Sequence, residues 1–239
     1  MSTSVEALAR PAGEWPIHSM SRPQPVVVRP APSAPAAGPP SDAVVLFDGS
    51  SLEHWRSASD TGTRAGWTVR DGYMEVAPGT GNIVSRQAFG DVQLHLAWAT
   101  PAPAHGDGQA RGNSGVFLMR LYEIQVLDSY ENPTYADGAA GAIYGQFPPL
   151  VNPSRLPGEW QTYDIIFHAP RFDGDGRLLL PARMTILYNG VLVQDDVALT
   201  GPTAHQHRPP YARHPDRLPL ELQDHGNLVR YRNIWIREL

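Results

Sequence analysis

From residue 44 onward, the chain is a succession of short apolar or alternating runs separated by clusters of Gly, Pro, Asn and Asp. No run longer than about eight residues carries the 3.6-residue periodicity of an amphipathic helix. About ten short strands without crossover helices favour antiparallel pairing. We therefore expect an all-β fold, an antiparallel β-sandwich of the jelly-roll type. The runs are 44–47, 66–76, 91–98, 114–120, 122–128, 160–168, 182–194, 218–224 and 228–236.

Two dipeptides give sharp hairpin signals within this pattern. Asp71-Gly72 and Asn189-Gly190 each lie between strand-like runs, and both favour the positive φ angles of type I′ turns. Three segments, 100–112, 129–159 and 195–217, are too long for hairpin turns, and loops of such length are usually functional or disordered. One outer face of the sandwich, bordered by long loops, is therefore expected to hold a ligand.

The first 43 residues differ in texture from the rest of the chain. Nine of the 24 prolines fall within the first 40 residues, which excludes helix and central strand there because proline fixes φ and removes a donor. Residues 1–43 are predicted to be a Pro-rich N-terminal arm or linker, and residues 44–239 the folded domain. The arm is either a disordered leader or a segment held on the domain by Trp15, Ile17 and the valines at 26–28.

Composition and charge argue against several classes of function. The 239 residues carry a net charge of −5, no lysine and no basic stripe, so nucleic acid is not an expected partner. The absence of cysteine excludes disulfides and thiolate catalysis. No apolar stretch approaches about 18 residues, so no membrane span is expected. Since no apolar signal-peptide core is visible, the chain as written is predicted to be cytoplasmic, or periplasmic if a leader has been trimmed; its oligomeric state is not predicted.

The segment YEIQVLD, residues 122–128, brings a carboxylate and an amide together. Strand side chains alternate between faces, so Ile124 and Val126 are predicted to face the core. Glu123 and Gln125 then point to the opposite side, with Asp128 just past the strand end. The simplest alternative interpretation is a solvated strand face.

The loop that follows this strand is rich in aromatic residues, namely Tyr130, Tyr135, Tyr144 and Phe147. Solvent-exposed loops seldom carry so many aromatic side chains, and sugar rings stack well on aromatic faces. Tyr144 is therefore a candidate substrate-binding residue. Trp160 is another, with equal weight given to a core position and to a platform for a sugar.

A second set of polar residues surrounds the segment LQDHG. Gln223 and His225 alternate with leucines, and the chain returns with Arg230 and Arg232. We expect Gln223, His225 and one of these arginines to share a face. A lone histidine is more often a surface or structural residue, but this one ends a strand beside an amide. Asn113, in a Gly-rich loop, is a further candidate.

The nine histidines raise the question of a metal site. His205, His207 and His214 cluster in a Pro-rich loop, but no HExxH pattern occurs and such a loop offers no fixed scaffold for zinc. Zinc there is not favoured, and metal use is left open. The GxSxG, GxGxxG and P-loop patterns are also missing, which gives no support to serine hydrolase or phosphate-binding chemistry.

The ordered set of segments resembles a known family. The matching pieces are VVLFDGSSLEHW, GNSGVFLMRLYEIQVLDSY, PGEWQTYDIIFHAPRF, NGVLVQ and LQDHGNLVRYRNIWIREL. Over residues 44–239 they resemble the 3-keto-disaccharide hydrolase domain family, which has a concanavalin A-like jelly-roll fold. The resemblance implies an enzyme that cleaves glycosides already oxidised to a ketone at C3. It also implies a sugar site formed by Glu123, Gln125, Gln223 and His225, with Arg232 as a binding or structural position.

A ketone at C3 explains why one carboxylate can suffice. An ordinary glycosidase needs two carboxyl groups across the scissile bond. A 3-ketone instead acidifies the neighbouring C2–H, so the C1 substituent can leave by elimination and water can then add. We expect Glu123 and His225 to be the acid and the base, in either order, with Gln125, Gln223 and Arg232 as donors. A divalent metal ion on the ketone is an alternative electrophile.

Three other functions are compatible with the predicted fold. The same sandwich and aromatic residues also suit a non-catalytic carbohydrate-binding module, because a fold alone does not imply chemistry. An ordinary endoglucanase of the same fold class would require a carboxylate pair that the sequence EIQ lacks. A structural or adhesion module is the third alternative.

Overall fold

The computed structural model describes residues 15–32 and 38–239. In this part, the helical elements are two 3₁₀ turns, Gly108–Ala110 and Ala136–Gly138, and no helix is long and apolar enough to cross a membrane. The strands are β1 Val26–Val27, β2 Val44–Phe47, β3 Trp55–Ser57, β4 Thr68–Arg70, β5 Tyr73–Glu75, β6 Ile83–Phe89, β7 Val92–Ala99, β8 Ser114–Leu118, β9 Tyr122–Val126, β10 Val151–Asn152, β11 Gln161–His168, β12 Arg171–Phe172, β13 Leu178–Leu180, β14 Arg183–Tyr188, β15 Val191–Ala198, β16 Leu218–Leu222 and β17 Arg230–Glu238.

Two antiparallel sheets pack face to face. The larger sheet has eight strands in the order β15-β14-β11-β7-β17-β5-β4, with β2 also paired to β17. The smaller sheet has five strands in the order β3-β6-β16-β8-β9. The predicted all-β antiparallel sandwich of the concanavalin A-like jelly-roll type is therefore confirmed. Both predicted hairpins also form, because Asp71, Gly72, Asn189 and Gly190 all have positive φ angles between 49° and 77°.

The core lies between the inner faces of the two sheets. Along β11 the burial alternates, with Tyr163, Ile165 and Phe167 fully buried and their neighbours turned outward. This alternation settles the face of Trp160, which precedes β11 on the outward parity and is only partly buried. From the smaller sheet, β9 contributes Ile124, which is fully buried as predicted.

Residues 15–32 of the predicted arm pack against the domain. β1 pairs in parallel with β10, and Val28 N donates to Asn152 O at 3.0 Å. Val26 and Val27 are 49% and 71% exposed, whereas Arg22 is 2% exposed. The arm is thus held by backbone pairing and a buried arginine, not by burial of its valines, and the disordered-leader interpretation is wrong for residues 15–32. The predicted arm at residues 1–14 and 33–37 lies outside the described residues.

Candidate active site

A cavity of about 270 Å³ opens on the outer face of the smaller sheet. Strands β8 and β9 and the end of β16 form its floor, and the loops 129–159 and 195–217 supply its walls. This volume is at the small end of the range for ligand pockets, which typically begins at about 300 Å³, so the cavity suits a ligand the size of one sugar ring. The cavity contains six of the nine predicted site residues. Its lining residues are Asn113, Phe117, Glu123, Gln125, Tyr144, Thr203, Ala204, His205, Gln223 and His225.

Strand β9 carries Glu123 and Gln125 on the face opposite to the core, as predicted. The two side chains are nevertheless buried, at 6% and 1% exposure, so the solvated-face interpretation is wrong. β9 is the edge strand of the smaller sheet, and loop backbone pairs with it: Gln125 N donates to Ala142 O, and Tyr144 N donates to Glu123 O. This pairing satisfies the open edge and places the aromatic loop over the strand.

The Glu123 carboxyl group faces the cavity without a hydrogen-bond donor from residues 15–32 and 38–239, although its own backbone N–H donates to Thr203 Oγ1 at 3.0 Å. Burial raises the pKa of Glu123 to about 8, because the charged form loses its hydration and gains no compensating partner. At neutral pH the group is mostly a protonated acid. It is therefore suited to donate a proton to a leaving group.

Gln223 and His225 follow β16 at the cavity rim. The Gln223 backbone is fixed against strand β8, since its N–H donates to Gly115 O at 3.0 Å and its carbonyl accepts from Ser114 Oγ at 2.6 Å. Its side-chain amide lines the cavity. His225 is exposed at the entrance, where its imidazole is open to both a bound ligand and solvent.

An amide network supports one wall of the cavity. Gln125 Nε2 donates to Gln109 Oε1 at 3.1 Å and to Asn113 Oδ1 at 3.2 Å, and Asn113 Nδ2 donates to Gln109 O at 2.7 Å. Gln125 Oε1 is buried and finds no partner within the described part of the chain. A buried acceptor without a partner is costly, so this oxygen is a locally unsatisfied point of the wall. Gln109 was missed by the sequence analysis because no pattern marks it.

The loop 195–217 adds residues that the sequence analysis did not assign to the site. Thr203 and His205 reach the cavity, and His205 Nδ1 lies 3.1 Å from the hydroxyl group of Tyr144. Phe117 adds an apolar surface from β8. The unusual length of the loop was the only signal in the sequence for this contribution.

Three predicted site residues lie outside the cavity lining. Asp128 is 3% exposed and its Oδ2 accepts from Arg111 Nε at 2.7 Å, so it is committed to a buried ion pair. Arg232 lies on β17 of the larger sheet, and its guanidinium is 4.0 Å from the ring centroid of Trp160, which immediately precedes β11 of the same sheet. Arg230 lies 5.4 Å from the same ring. The predicted sharing of a face by His225 and one of these arginines is therefore not observed.

The three clustered histidines do not form one group. His214 Nε2 bonds the Tyr122 hydroxyl at 2.8 Å, His205 faces the cavity, and His207 is exposed. Throughout residues 15–32 and 38–239, no set of three or more His, Cys, Asp or Glu side chains is arranged to hold a metal ion. The cavity lining contains the carboxyl group of Glu123 and the imidazoles of His205 and His225, which are the kinds of oxygen and nitrogen donor that a divalent ion accepts.

The chain is similar to a known domain family and to solved structures described as "putative glycosyl hydrolases". The family model of the 3-keto-alpha-glucoside-1,2-lyase-like domain matches residues 42–237. A solved "putative glycosyl hydrolase" from Parabacteroides distasonis ATCC 8503 is 44% identical, with a TM-score of 0.80 over 83% of this chain and 84% of its own. A second protein of that description and organism is 23% identical, with a TM-score of 0.58 over 82% and 99% of the two chains, and shows the shared fold. No curated protein matches the chain.

Proposed function

Because the chain belongs to the 3-keto-alpha-glucoside-1,2-lyase-like domain family, we propose that it is a sugar-active enzyme that cleaves 3-keto-glycosides or 3-keto-disaccharides. The bond is broken by elimination across C1 and C2, and water then adds to the product. The observation that carries this proposal is the single unpaired carboxyl group at the cavity, Glu123, whose pKa burial raises to about 8.

Within residues 15–32 and 38–239, the cavity lining contains no second carboxylate for ordinary glycoside hydrolysis. Glu221 lies on the same face, two strands from Glu123 through Phe117. Its two oxygens are occupied, since Asn82 Nδ2 donates to Oε1 at 2.6 Å and Arg120 Nε donates to Oε2 at 2.7 Å. A two-carboxylate mechanism requires one group to be free to attack the sugar or to activate water. The arrangement therefore supports a reaction that needs one acid and a separate base.

The proposed reaction begins with His225, which takes the proton from C2, and the C2–H electron pair forms an enolate with the C3 ketone. When the enolate collapses, a C1–C2 double bond forms and the C1–O bond breaks. Glu123 gives its proton to the departing oxygen, leaving a carboxylate and an enone. Water then adds to C1 while the Glu123 carboxylate accepts its proton, and the His225 imidazolium returns a proton to C2.

The remaining cavity residues orient the sugar. The Gln223 amide offers hydrogen bonds to sugar oxygens, and the hydrogen bonds of Gln125 to Gln109 and Asn113 fix the wall beside it. Tyr144, 8% exposed, lines the same space. Holding the C2–H near the base and the C1–O bond near the acid is the larger part of such a rate enhancement.

The proposal is tested with a panel of 3-keto-glycosides in D₂O, read by mass spectrometry and with or without a chelator. Cleavage with one solvent deuterium incorporated at C2 is expected. We expect Glu123→Gln and His225→Ala each to lower kcat by about 10²–10⁴-fold, the usual contribution of an acid or a base. His207→Ala, an exposed histidine away from the cavity lining, is the matched control. Binding of intact glycans with no turnover of any keto-sugar would refute the proposal in favour of a carbohydrate-binding module.

A further inference from the structure

A histidine from the loop 195–217 faces the cavity with one ring nitrogen already engaged. His205 Nδ1 lies 3.1 Å from the Tyr144 hydroxyl, which in turn lies 2.9 Å from the Tyr135 hydroxyl. Nε2 is therefore the His205 nitrogen that remains for a ligand. The elimination mechanism described above uses Glu123 and His225 and assigns no role to this nitrogen.

Counting protons favours one direction of the hydrogen-bond chain. If Tyr135 donates to Tyr144 and Tyr144 donates to His205 Nδ1, both hydroxyl protons have protein acceptors. In the reverse direction, the proton of the half-buried Tyr135 has no acceptor among residues 15–32 and 38–239 and must go to solvent. Burial is also the main cause that raises the pKa of Tyr144, so the hydroxyl keeps its proton. A neutral His205 that accepts at Nδ1 carries its own proton on Nε2.

The N-terminal arm holds this histidine from behind. The His18 Nε2–H donates to the backbone carbonyl of His205, and its ring packs on Tyr135 with centroids 3.9 Å apart. His18 is itself anchored, because its backbone N–H donates to Oδ2 of the fully buried Asp137 at 3.1 Å. The residues matched by the family model begin at 42, so this support comes from outside that domain.

We propose that His205 donates a hydrogen bond from Nε2–H to the C3 oxygen of the keto-sugar as that oxygen becomes negative, and that Tyr144 and His18 hold it in this orientation. The inference rests on the proposed function. A neutral N–H donor fixed in advance stabilises a developing enolate without reorganising at the moment of reaction. The arm residue His18 is thus a positioning residue for the site, and residues 15–32 are more than a linker.

Turnover of a 3-keto-glycoside by the full-length chain tests the catalytic part. Loss of one donor to a developing oxyanion costs about 10²–10³-fold in kcat, so His205→Ala is expected to lose this much with little change in KM. His205→Gln, which keeps an N–H donor, should recover part of it. The matched control is His207→Ala in the same loop. Equal kcat for His205→Ala and wild type would overturn the assignment.

The positioning part has a readout that does not depend on activity. In ¹⁵N NMR spectra of the full-length wild type, His205 should be protonated on Nε2, and Tyr144→Phe should shift it toward the Nδ1-protonated form. His18→Ala should lower kcat by about 10-fold with unchanged KM, and His18→Gln, which keeps a donor to the His205 carbonyl, should retain most of the activity. An Nδ1-protonated His205 in the wild type would overturn the proposal. Lack of wild-type turnover on every keto-sugar would refute the proposed function instead, and the tautomer would still test the geometry.

Discussion

A Cβ atom on Gly115 would lie 2.6 Å from Oε1 of Glu123 and 2.7 Å from Cε2 of Phe117. Gly115 pairs with Gln125 across the β8–β9 ladder, and a side chain at this position would force the Glu123 carboxyl or the Phe117 ring to shift. Gly115 is not among the residues with positive φ, and its backbone would accept a side chain. Its absent side chain therefore sets where the acidic group points.

Replacing Gly115 by alanine is expected to displace the Glu123 carboxyl and lower kcat/KM by about 10–100-fold, since a misplacement near 1 Å can cost that much. Steady-state kinetics on a 3-keto-glycoside measures the effect. Gly174→Ala, at a glycine with no atom within 4 Å of its Cβ position, is the control and should leave kcat/KM unchanged. Full activity of Gly115→Ala would show that the carboxyl is not held by this contact.

The raised pKa of Glu123 makes stability depend on pH in a defined direction. Its folded pKa of about 8 exceeds the unfolded value of 4.5, so the folded state binds more protons between these limits and the free energy of unfolding falls as pH rises through them. Each unit of difference corresponds to about 1.4 kcal/mol. Glu123→Gln removes this loss, and urea denaturation at pH 5 and pH 9 should show the variant gaining stability relative to wild type at the higher pH. An equal change in the free energy of unfolding between pH 5 and pH 9 for the two proteins would contradict a raised pKa of Glu123.

The same pKa predicts the alkaline limb of the activity profile. If Glu123 delivers a proton to the leaving oxygen, kcat for a substrate with a poor leaving group should fall about tenfold per pH unit above about 8. A substrate whose leaving group needs no proton, such as a 3-keto-glycoside of a nitrophenol, should show a weaker fall. Identical limbs for both substrates would show that Glu123 does not protonate the leaving group.

Asp128 is expected to stabilise the fold without touching the sugar. Asp128→Asn breaks its 2.7 Å pair with Arg111 and leaves a largely buried guanidinium without its counter-ion. Breaking such a pair typically costs about 3 kcal/mol or more in the free energy of unfolding. Urea denaturation measures that loss, while kcat and KM at 25 °C should stay within about threefold. A large rise in KM with unchanged stability would return Asp128 to the sugar site.

Trp160 and Arg232 are expected to act as a packing pair on the larger sheet. A cation–π contact at 4.0 Å contributes about 0.5–2 kcal/mol, which a double-mutant cycle of Trp160→Ala and Arg232→Ala would measure as a coupling in the free energy of unfolding. KM should be unchanged in both variants, because neither side chain lines the cavity. A matching loss of sugar affinity in both would place a second binding surface there.

Much of the fold could be predicted because period-two alternation and turn chemistry are local. The Asp71-Gly72 and Asn189-Gly190 hairpins are examples. Strand β6 was missed, since Ser85, Arg86 and Gln87 interrupt its apolar pattern where its pairing with β16 changes register. These polar residues belong to a sheet because they pair with β16, which lies far away in the sequence and leaves no local signal.

The candidate site was predictable where strands alone determine it. Alternation placed Glu123 and Gln125 on one face, and the end of β16 placed Gln223 and His225 beside them. The His205 contribution was not predictable, because it depends on how two long loops and the arm pack together. The face of Arg232 was misjudged for a related reason: β17 belongs to the other sheet, and no local pattern records which sheet a strand joins.

The parallel pairing of β1 with β10 has a consequence for a cleaved chain. A protease cut between residues 28 and 44 would leave the arm attached to the domain only by noncovalent contacts. The association of arm and domain would then be bimolecular instead of unimolecular. Its hold on the loops 129–159 and 195–217 would then weaken on dilution. Such a nicked protein should lose specific activity as its concentration falls and regain it when a synthetic peptide of residues 15–32 is added.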